Sequence, residues 1–300
     1  MFTPAGIMAA IVTPMNEDET LDLTELEAHV NRMIDKGVHG LFCLGTNGEF
    51  YTLSHDERIQ VIETVVAATK GRVPVLAGVG AISTRETIEL ARAAESLQVE
   101  ALSVITPYFV PLTQPELVRH YRKIADATPL PIMLYNIPMR TGNHIEPETV
   151  ATLSAVPNIV GIKDSSGDIN MIRAFIQATP EDFAVVSGND SIILEGLRAG
   201  AKGAVAAIAN ICPDWLSEIY NAWARGDDLT ADKMQEQVNV VRGILSGGNP
   251  NTMVKKAVSL LGHPVGNCRE PVSGDSPEAE AHVRTVLETA GLLAKIAGER

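Results

Sequence analysis

Of the nine lysines (36, 70, 123, 163, 202, 233, 255, 256 and 295), only Lys163 closes an apolar run, in Ile159-Val160-Gly161-Ile162-Lys163-Asp164. A low-dielectric strand end disfavours the charged form of an amine, and the neutral amine is what attacks a carbonyl to form a Schiff base. The plainer alternative is an ion pair with Asp164 at a strand end. A second run ends in Leu134-Tyr135-Asn136-Ile137-Pro138. It offers a phenol for acid–base work, or a tyrosine that is simply satisfied in a core. A third run enters Gly45-Thr46-Asn47-Gly48-Glu49-Phe50. Its backbone N–H groups can nest an anion, and the Thr46 hydroxyl can both give and take a proton. The alternative for this segment is a tight turn that needs glycine's freedom. Amine, phenol, hydroxyl and anion nest together describe an iminium enzyme acting on a 2-keto acid.

These groups need a scaffold that brings three strand ends together. Short apolar, often β-branched runs fall at 7–12, 40–44, 73–79, 101–105, 131–135, 159–162, 183–187 and 203–206. Amphipathic stretches at 23–36, 55–69, 85–97, 115–127, 169–178, 191–199 and 213–225 lie between and after them. Asp22 or Thr24 can cap the first helix, Ser54 with Glu57 reads as a capping box, and Thr113 with Pro115 suits a helix start. Strands apolar on both faces, alternating with helices, imply a parallel sheet with right-handed crossovers. Eight such units predict an α/β fold, a (β/α)8 TIM barrel over residues 1–225 that carries the active site at the C-terminal ends of its strands. An open doubly wound sheet is the competitor, with fewer strands and a ligand at a switch point. Residues 226–300 read as a C-terminal helical extension, with helices at 230–245, 252–261 and 277–293 and a loop at 262–275. Its expected use is to cover part of the barrel or to form a subunit contact.

Composition narrows the partners. A net charge of −13 and 4 % aromatic residues argue against nucleic acid and anionic membrane surfaces. No apolar run approaches the ~20 residues of a membrane span, and no Lys or Arg precedes Arg32 to begin a signal peptide. Cys43, Cys212 and Cys268 are too few for a disulfide framework, so the expected location is the cytoplasm. The seven histidines form no His-x-His or His-x-x-x-His pair and no cysteine joins one, which argues against a metal-dependent aldolase. Gly78-Val79-Gly80-Ala81 lacks the third glycine of a dinucleotide turn. A small 2-keto acid is the expected ligand, with no metal or nucleotide cofactor. A non-catalytic 2-keto acid binder is the alternative outside enzymes.

The stretches Gly45-Thr46-Asn47-Gly48-Glu49, Tyr135-Asn136-Ile137-Pro138, Gly161-Ile162-Lys163-Asp164 and Ser187-Gly188-Asn189-Asp190 resemble the pyruvate-dependent class I aldolase family that includes dihydrodipicolinate synthase and N-acetylneuraminate lyase. Order and spacing agree to about residue 261. The resemblance implies a barrel, a helical C-terminal region and a homo-oligomer, tetramer or dimer. It implies the Schiff base on Lys163, proton shuttling by Tyr135, and relay by Thr46. The N–H groups of Thr46 and Asn47, beside Gly45, would hold the substrate carboxylate, and Gly188 and Val205 would line the pyruvate pocket. Arg140 matches an arginine that binds a second carboxylate in the synthases; a solvated loop charge is the other reading.

Several positions depart from the synthase pattern. Asn47 replaces a second threonine. Phe109 stands where a neighbouring subunit's tyrosine would join the relay, and Tyr108 occupies the adjacent position. Ile82 replaces an asparagine of the lysine feedback site. Ser191 stands where N-acetylneuraminate lyases carry a glutamate. The Gly48-Glu49-Phe50 ending is similar to that of relatives acting on 2-keto-3-deoxy sugar acids. The expected activity is therefore an aldolase or dehydratase for such an acid, with dihydrodipicolinate synthase as the alternative and N-acetylneuraminate lyase behind both.

Overall fold

The computed structural model describes residues 2–272 and 276–294; part of the loop expected at 262–275, and Lys295, lie outside these. Eight strands, β1 (Gly6–Ala10), β2 (Gly40–Cys43), β3 (Val75–Gly78), β4 (Ala101–Ile105), β5 (Ile132–Asn136), β6 (Ile159–Asp164), β7 (Ala184–Ser187) and β8 (Gly203–Ala206), close into a barrel in chain order. Every adjacent pair is parallel, and β8 returns to β1. Helices cover the outer face: α1 (Leu23–Asp35), α2 (His55–Thr69), α3 (Thr84–Ser96), α4 (Gln114–Ala125), α5 (Pro138–Thr141), α6 (Pro147–Ser154), α7 (Ile169–Ala178), α8 (Ile193–Ala199) and α9 (Pro213–Ala224). This is the (β/α)8 TIM barrel. With both sheet faces covered, almost every strand residue is buried, which is why the strands read as continuous apolar runs.

The helix starts follow local chemistry. Asp22 rather than Thr24 caps α1, accepting from the Glu25 N–H at 2.9 Å. Ser54 and Glu57 form the expected box on α2, and the Thr113 N–H donates to Glu116 at the head of α4. Two helices of the β5–β6 connection, α5 and α6, have no counterpart in the sequence reading. The stretch expected to be helical from residue 191 opens with a 3-10 turn, Asp190–Ile192, so α8 begins at Ile193.

Beyond α9 come α10 (Asp228–Arg242), α11 (Pro250–Leu260) and α12 (Pro277–Thr289). Helix α11 reaches back to the loop after β2. The following segment does the same through Arg269, which forks onto the Glu57 carboxylate at 2.7 and 2.9 Å and donates to the Thr52 carbonyl. Hydrogen bonding from that guanidinium holds the Glu57 carboxyl down at about 2.

A buried histidine ties α1 to the C-terminal ends of β1 and β8. His29 Nε2 donates to Asn210 Oδ1 at 2.8 Å, and its Nδ1 accepts from Arg32. Asn210 in turn takes the Val12 N–H and donates to the Ala10 carbonyl. Burial, reinforced by the Arg32 charge, pushes the imidazole from 6.5 down to about 3. Between those values the unfolded chain binds a proton that the folded one refuses. The contribution is therefore intact above pH 6.5 and is lost as the pH falls, by ~1.4 kcal/mol per pH unit or about 2 kcal/mol at pH 5. His120, pushed down to about 4 by burial, steepens the same slope. Urea unfolding at pH 7 and at pH 5 should show this loss, and His29→Asn should flatten it. An unchanged slope in that variant would contradict the assignment.

Candidate active site

Cross-strand partners in a parallel sheet share a face, so the register decides which side chains meet inside the barrel. Ile105 pairs with Tyr135, Tyr135 with Lys163, Lys163 with Val186, and Val186 with Gly203. Val205, two residues on from Gly203, faces inward with them, beside Met8. The Lys163 ammonium nitrogen lies 4.0 Å from the centre of the Tyr135 ring and 4.9 Å from that of Phe42. Only 4 % of Lys163 is exposed.

The ion pair with Asp164 is not formed. Asp164 belongs to the opposite face of β6, in register with Asn136 and Ser187. Its carboxylate accepts from Asn136 Nδ2 at 2.8 Å and from the Ser166 hydroxyl at 2.5 Å. Burial raises the Asp164 pKa above the usual carboxylate value, partly offset by those hydrogen bonds.

The loop after β2 brings the third group. Thr46 Oγ1 and Tyr135 Oη are 3.2 Å apart, hydrogen-bonded with either hydroxyl as donor. Among the described residues, neither the Thr46 nor the Asn47 N–H donates to a protein acceptor, so both remain available to an anion at the mouth. Gly45 gives Phe42 its place, since a Cβ there would sit 2.5 Å from the ring. Gly188 does the same for the lysine: a Cβ would lie 2.8 Å from Lys163 Cε and 2.0 Å from Ser165 Oγ.

Above Thr46 opens a cavity of about 270 Å³, whose wall includes Tyr51, Tyr108, Arg140, Thr141, Asn249 and Asn251. Arg140, on α5, is exposed and lines the cavity together with Thr46. The Tyr108 ring stands edge-on to Phe50 at 6.0 Å, and burial raises its phenol above the usual value, with the nearby Arg58 opposing. Phe109 is 89 % exposed on a left-handed backbone, φ 78°, and reaches no group of the site.

The sequence reading missed Tyr51, Asn249 and Asn251. Asn251 Nδ2 donates to the Thr46 carbonyl at 2.8 Å and to Tyr51 Oη at 3.0 Å. A signal was present: Asn251 and Lys255, four residues apart, interrupt the apolar face of α11 formed by Met253, Val254, Ala257 and Val258.

The sequence profile of the Dihydrodipicolinate synthetase family matches residues 3–290. The chain belongs to this family. Members are pyruvate-dependent class I lyases that form a Schiff base on a lysine, and this chain is such an enzyme. It is 39 % identical to a 4-hydroxy-tetrahydrodipicolinate synthase of Methanopyrus kandleri, over 97 % of this chain and 98 % of that one. It is 38 % identical to an uncharacterized DapA-like lyase of Halobacterium salinarum, over 96 % and 94 % of the two chains. Among solved structures, the dihydrodipicolinate synthase of Acinetobacter baumannii, complexed with pyruvate, superposes with a TM-score of 0.94 at 37 % identity, over 97 % of this chain and 100 % of that one. Among the described residues no group of three or more His, Cys, Asp and Glu is arranged to hold a metal ion, and no helix is long and apolar enough to cross a membrane.

Proposed function

We propose that Lys163 is the Schiff-base lysine, Tyr135 its acid–base partner and Thr46 the relay between that phenol and the mouth. The observation that carries this reading is the stack itself: a buried amine 4.0 Å above the phenol ring, with the phenol hydroxyl bound to Thr46. The neutral Lys163 amine adds to C2 of pyruvate, and Tyr135 protonates the carbinolamine oxygen, which leaves as water. The resulting phenolate removes a C3 proton from the iminium to give the enamine, the carbon nucleophile that adds to an aldehyde. In the cleaving direction the iminium takes up the electron pair of the breaking C3–C4 bond. The Thr46 and Asn47 N–H groups, next to Gly45, hold the substrate carboxylate, and Gly188 and Val205 leave room for pyruvate. This scheme calls on no metal or nucleotide.

The second substrate is a short polar chain. The cavity over Thr46 is lined by Tyr51, Thr141, Asn249 and Asn251, polar residues, and by the exposed Arg140. That wall fits a 2-keto-3-deoxy sugar acid, cleaved or dehydrated, with its distal end towards Arg140. Condensation of pyruvate with aspartate semialdehyde is the second reading, supported by the same Arg140 fork and by the relatives that carry the synthase name. A homo-oligomer, dimer or tetramer, accounts for the exposed Phe109 beside Tyr108 and the half-exposed Val110 at the rim. Three free, buried cysteines fit a cytoplasmic setting.

Assaying pyruvate release from 2-keto-3-deoxy sugar acids against pyruvate consumption with aspartate semialdehyde separates the two readings. Arg140→Ala should raise KM for the accepted partner by roughly 10–100-fold, as loss of a charge-assisted hydrogen bond implies, with pyruvate affinity unchanged. An unchanged KM would remove Arg140 from substrate binding. Turnover with neither class would overturn the substrate assignment.

A further inference from the structure

The loop that carries Thr46 adopts backbone conformations that its residues do not favour. Leu44 and Glu49 both sit in the left-handed region, with φ of 56° and 54°. Such a loop persists only where its surroundings over-determine it. The barrel supplies some of the ties: the Thr13 hydroxyl donates to the Gly48 carbonyl at 2.8 Å, and the Thr52 hydroxyl to the Glu49 carbonyl at 2.9 Å. Further ties come from the C-terminal extension, more than two hundred residues away. Asn251 holds the Thr46 carbonyl. Lys255 Nζ approaches Glu49 Oε1 to 2.6 Å, with side-chain exposures of 1 % and 0 %. The same ammonium donates to the Asn267 carbonyl, and the Arg269 N–H donates to the other Glu49 oxygen at 3.0 Å.

A buried ion pair brings little net stability, because desolvation consumes most of the attraction. What this pair does provide is position. Glu49 lies three residues beyond Thr46, and its N–H donates to the Thr46 carbonyl. Fixing the Glu49 carboxylate therefore fixes the short turn from which the Thr46 hydroxyl is aimed at Tyr135. We infer that Lys255 is a positioning residue for the proton relay: through Glu49 it locks the Thr46 turn onto the catalytic tyrosine, so that the helical extension completes the active site of the barrel. The inference rests on the reading of Lys163, Tyr135 and Thr46 given above.

The consequence is selective. Lys163 is carried by β6, inside the closed sheet, and does not depend on the loop for its place. Loss of the tie should leave the equilibrium extent of imine on Lys163 intact and slow the proton transfers that run through Tyr135. Two measurements with pyruvate alone separate these steps. Borohydride reduction reports imine at Lys163, and exchange of the pyruvate methyl protons in D2O, followed by proton NMR, reports removal of the C3 proton. Lys255→Met, and the charge-free pair Glu49→Gln/Lys255→Met should the single variant fold poorly, should be trapped to the parental stoichiometry at saturating pyruvate. Both should exchange more slowly by about 10²-fold, the cost of a small misplacement of a catalytic group. Exchange at the parental rate in a folded variant would overturn the inference, as would a parallel loss of trapping and exchange, which marks a merely structural pair. A parent protein that is not trapped at all would overturn the Schiff-base reading itself, and this inference with it.

Discussion

Lys163→Ala is expected to abolish turnover, by more than ~10⁴-fold, while the barrel stays folded. The loss is that large because a covalent route has no substitute once its nucleophile is gone. No other lysine among the described residues shares the barrel interior; Lys255, the other fully buried one, is committed to Glu49. The fold should survive because the lysine is not a structural ion. Its ammonium rests on the Tyr135 and Phe42 rings, and the neighbouring carboxylate of Asp164 is engaged by Asn136 and Ser166. No ion pair is broken, so the variant should stay folded, with at most a modest loss of melting temperature for the small cavity left beside the two rings. Steady-state rates with circular dichroism melting check both halves. Residual turnover within about tenfold of the parent would move the chemistry to another residue.

Tyr135→Phe should lower kcat by ~10²–10⁴-fold, the usual worth of a placed general acid–base group. The ring remains, and with it the edge-to-face contact to Phe42 at 6.3 Å and the surface on which Lys163 lies. What disappears is one hydroxyl whose partner is Thr46 Oγ1, at a stability cost of about 1 kcal/mol. KM for pyruvate should change little, since the proposed carboxylate contacts, the loop amides, are left in place. A rate within about twofold of the parent would take Tyr135 out of proton transfer, and a rise in KM with unchanged kcat would make it a binding residue.

The residues proposed for the chemistry could be picked out in the sequence because strand ends in a barrel are few. Lys163 is the single lysine that closes an apolar run, and Tyr135 closes another. That these two are direct cross-strand neighbours was not legible. Registers of four- to six-residue strands leave no mark in the chain, yet a slip of one residue would turn Tyr135 to the outer face. The same register sets Asp164 beside Asn136 and excludes the pairing with Lys163 that adjacency suggested. Helix α6 escaped notice because its eight residues include Thr149, Val150 and Thr152, β-branched types with weak helix preference. It forms through packing. The contacts of α11 with the Thr46 loop join residues 205 apart in the chain, and only the fold brings them together. Lys255 shows the limit of reading position alone: a lysine on a helix remote from every strand end ranks low as a functional residue until its partner, Glu49, is seen.

The imine on Lys163 is the step on which the proposed chemistry depends. Incubating the protein with pyruvate, reducing with borohydride, and mapping the modified peptide by mass spectrometry tests it most directly. One stable adduct per chain is expected, on Lys163, with none in Lys163→Ala. Pyruvate bound, as measured by calorimetry, without an adduct would make this chain a binder built on a lyase scaffold. An adduct on any other lysine would contradict the assignment of the site.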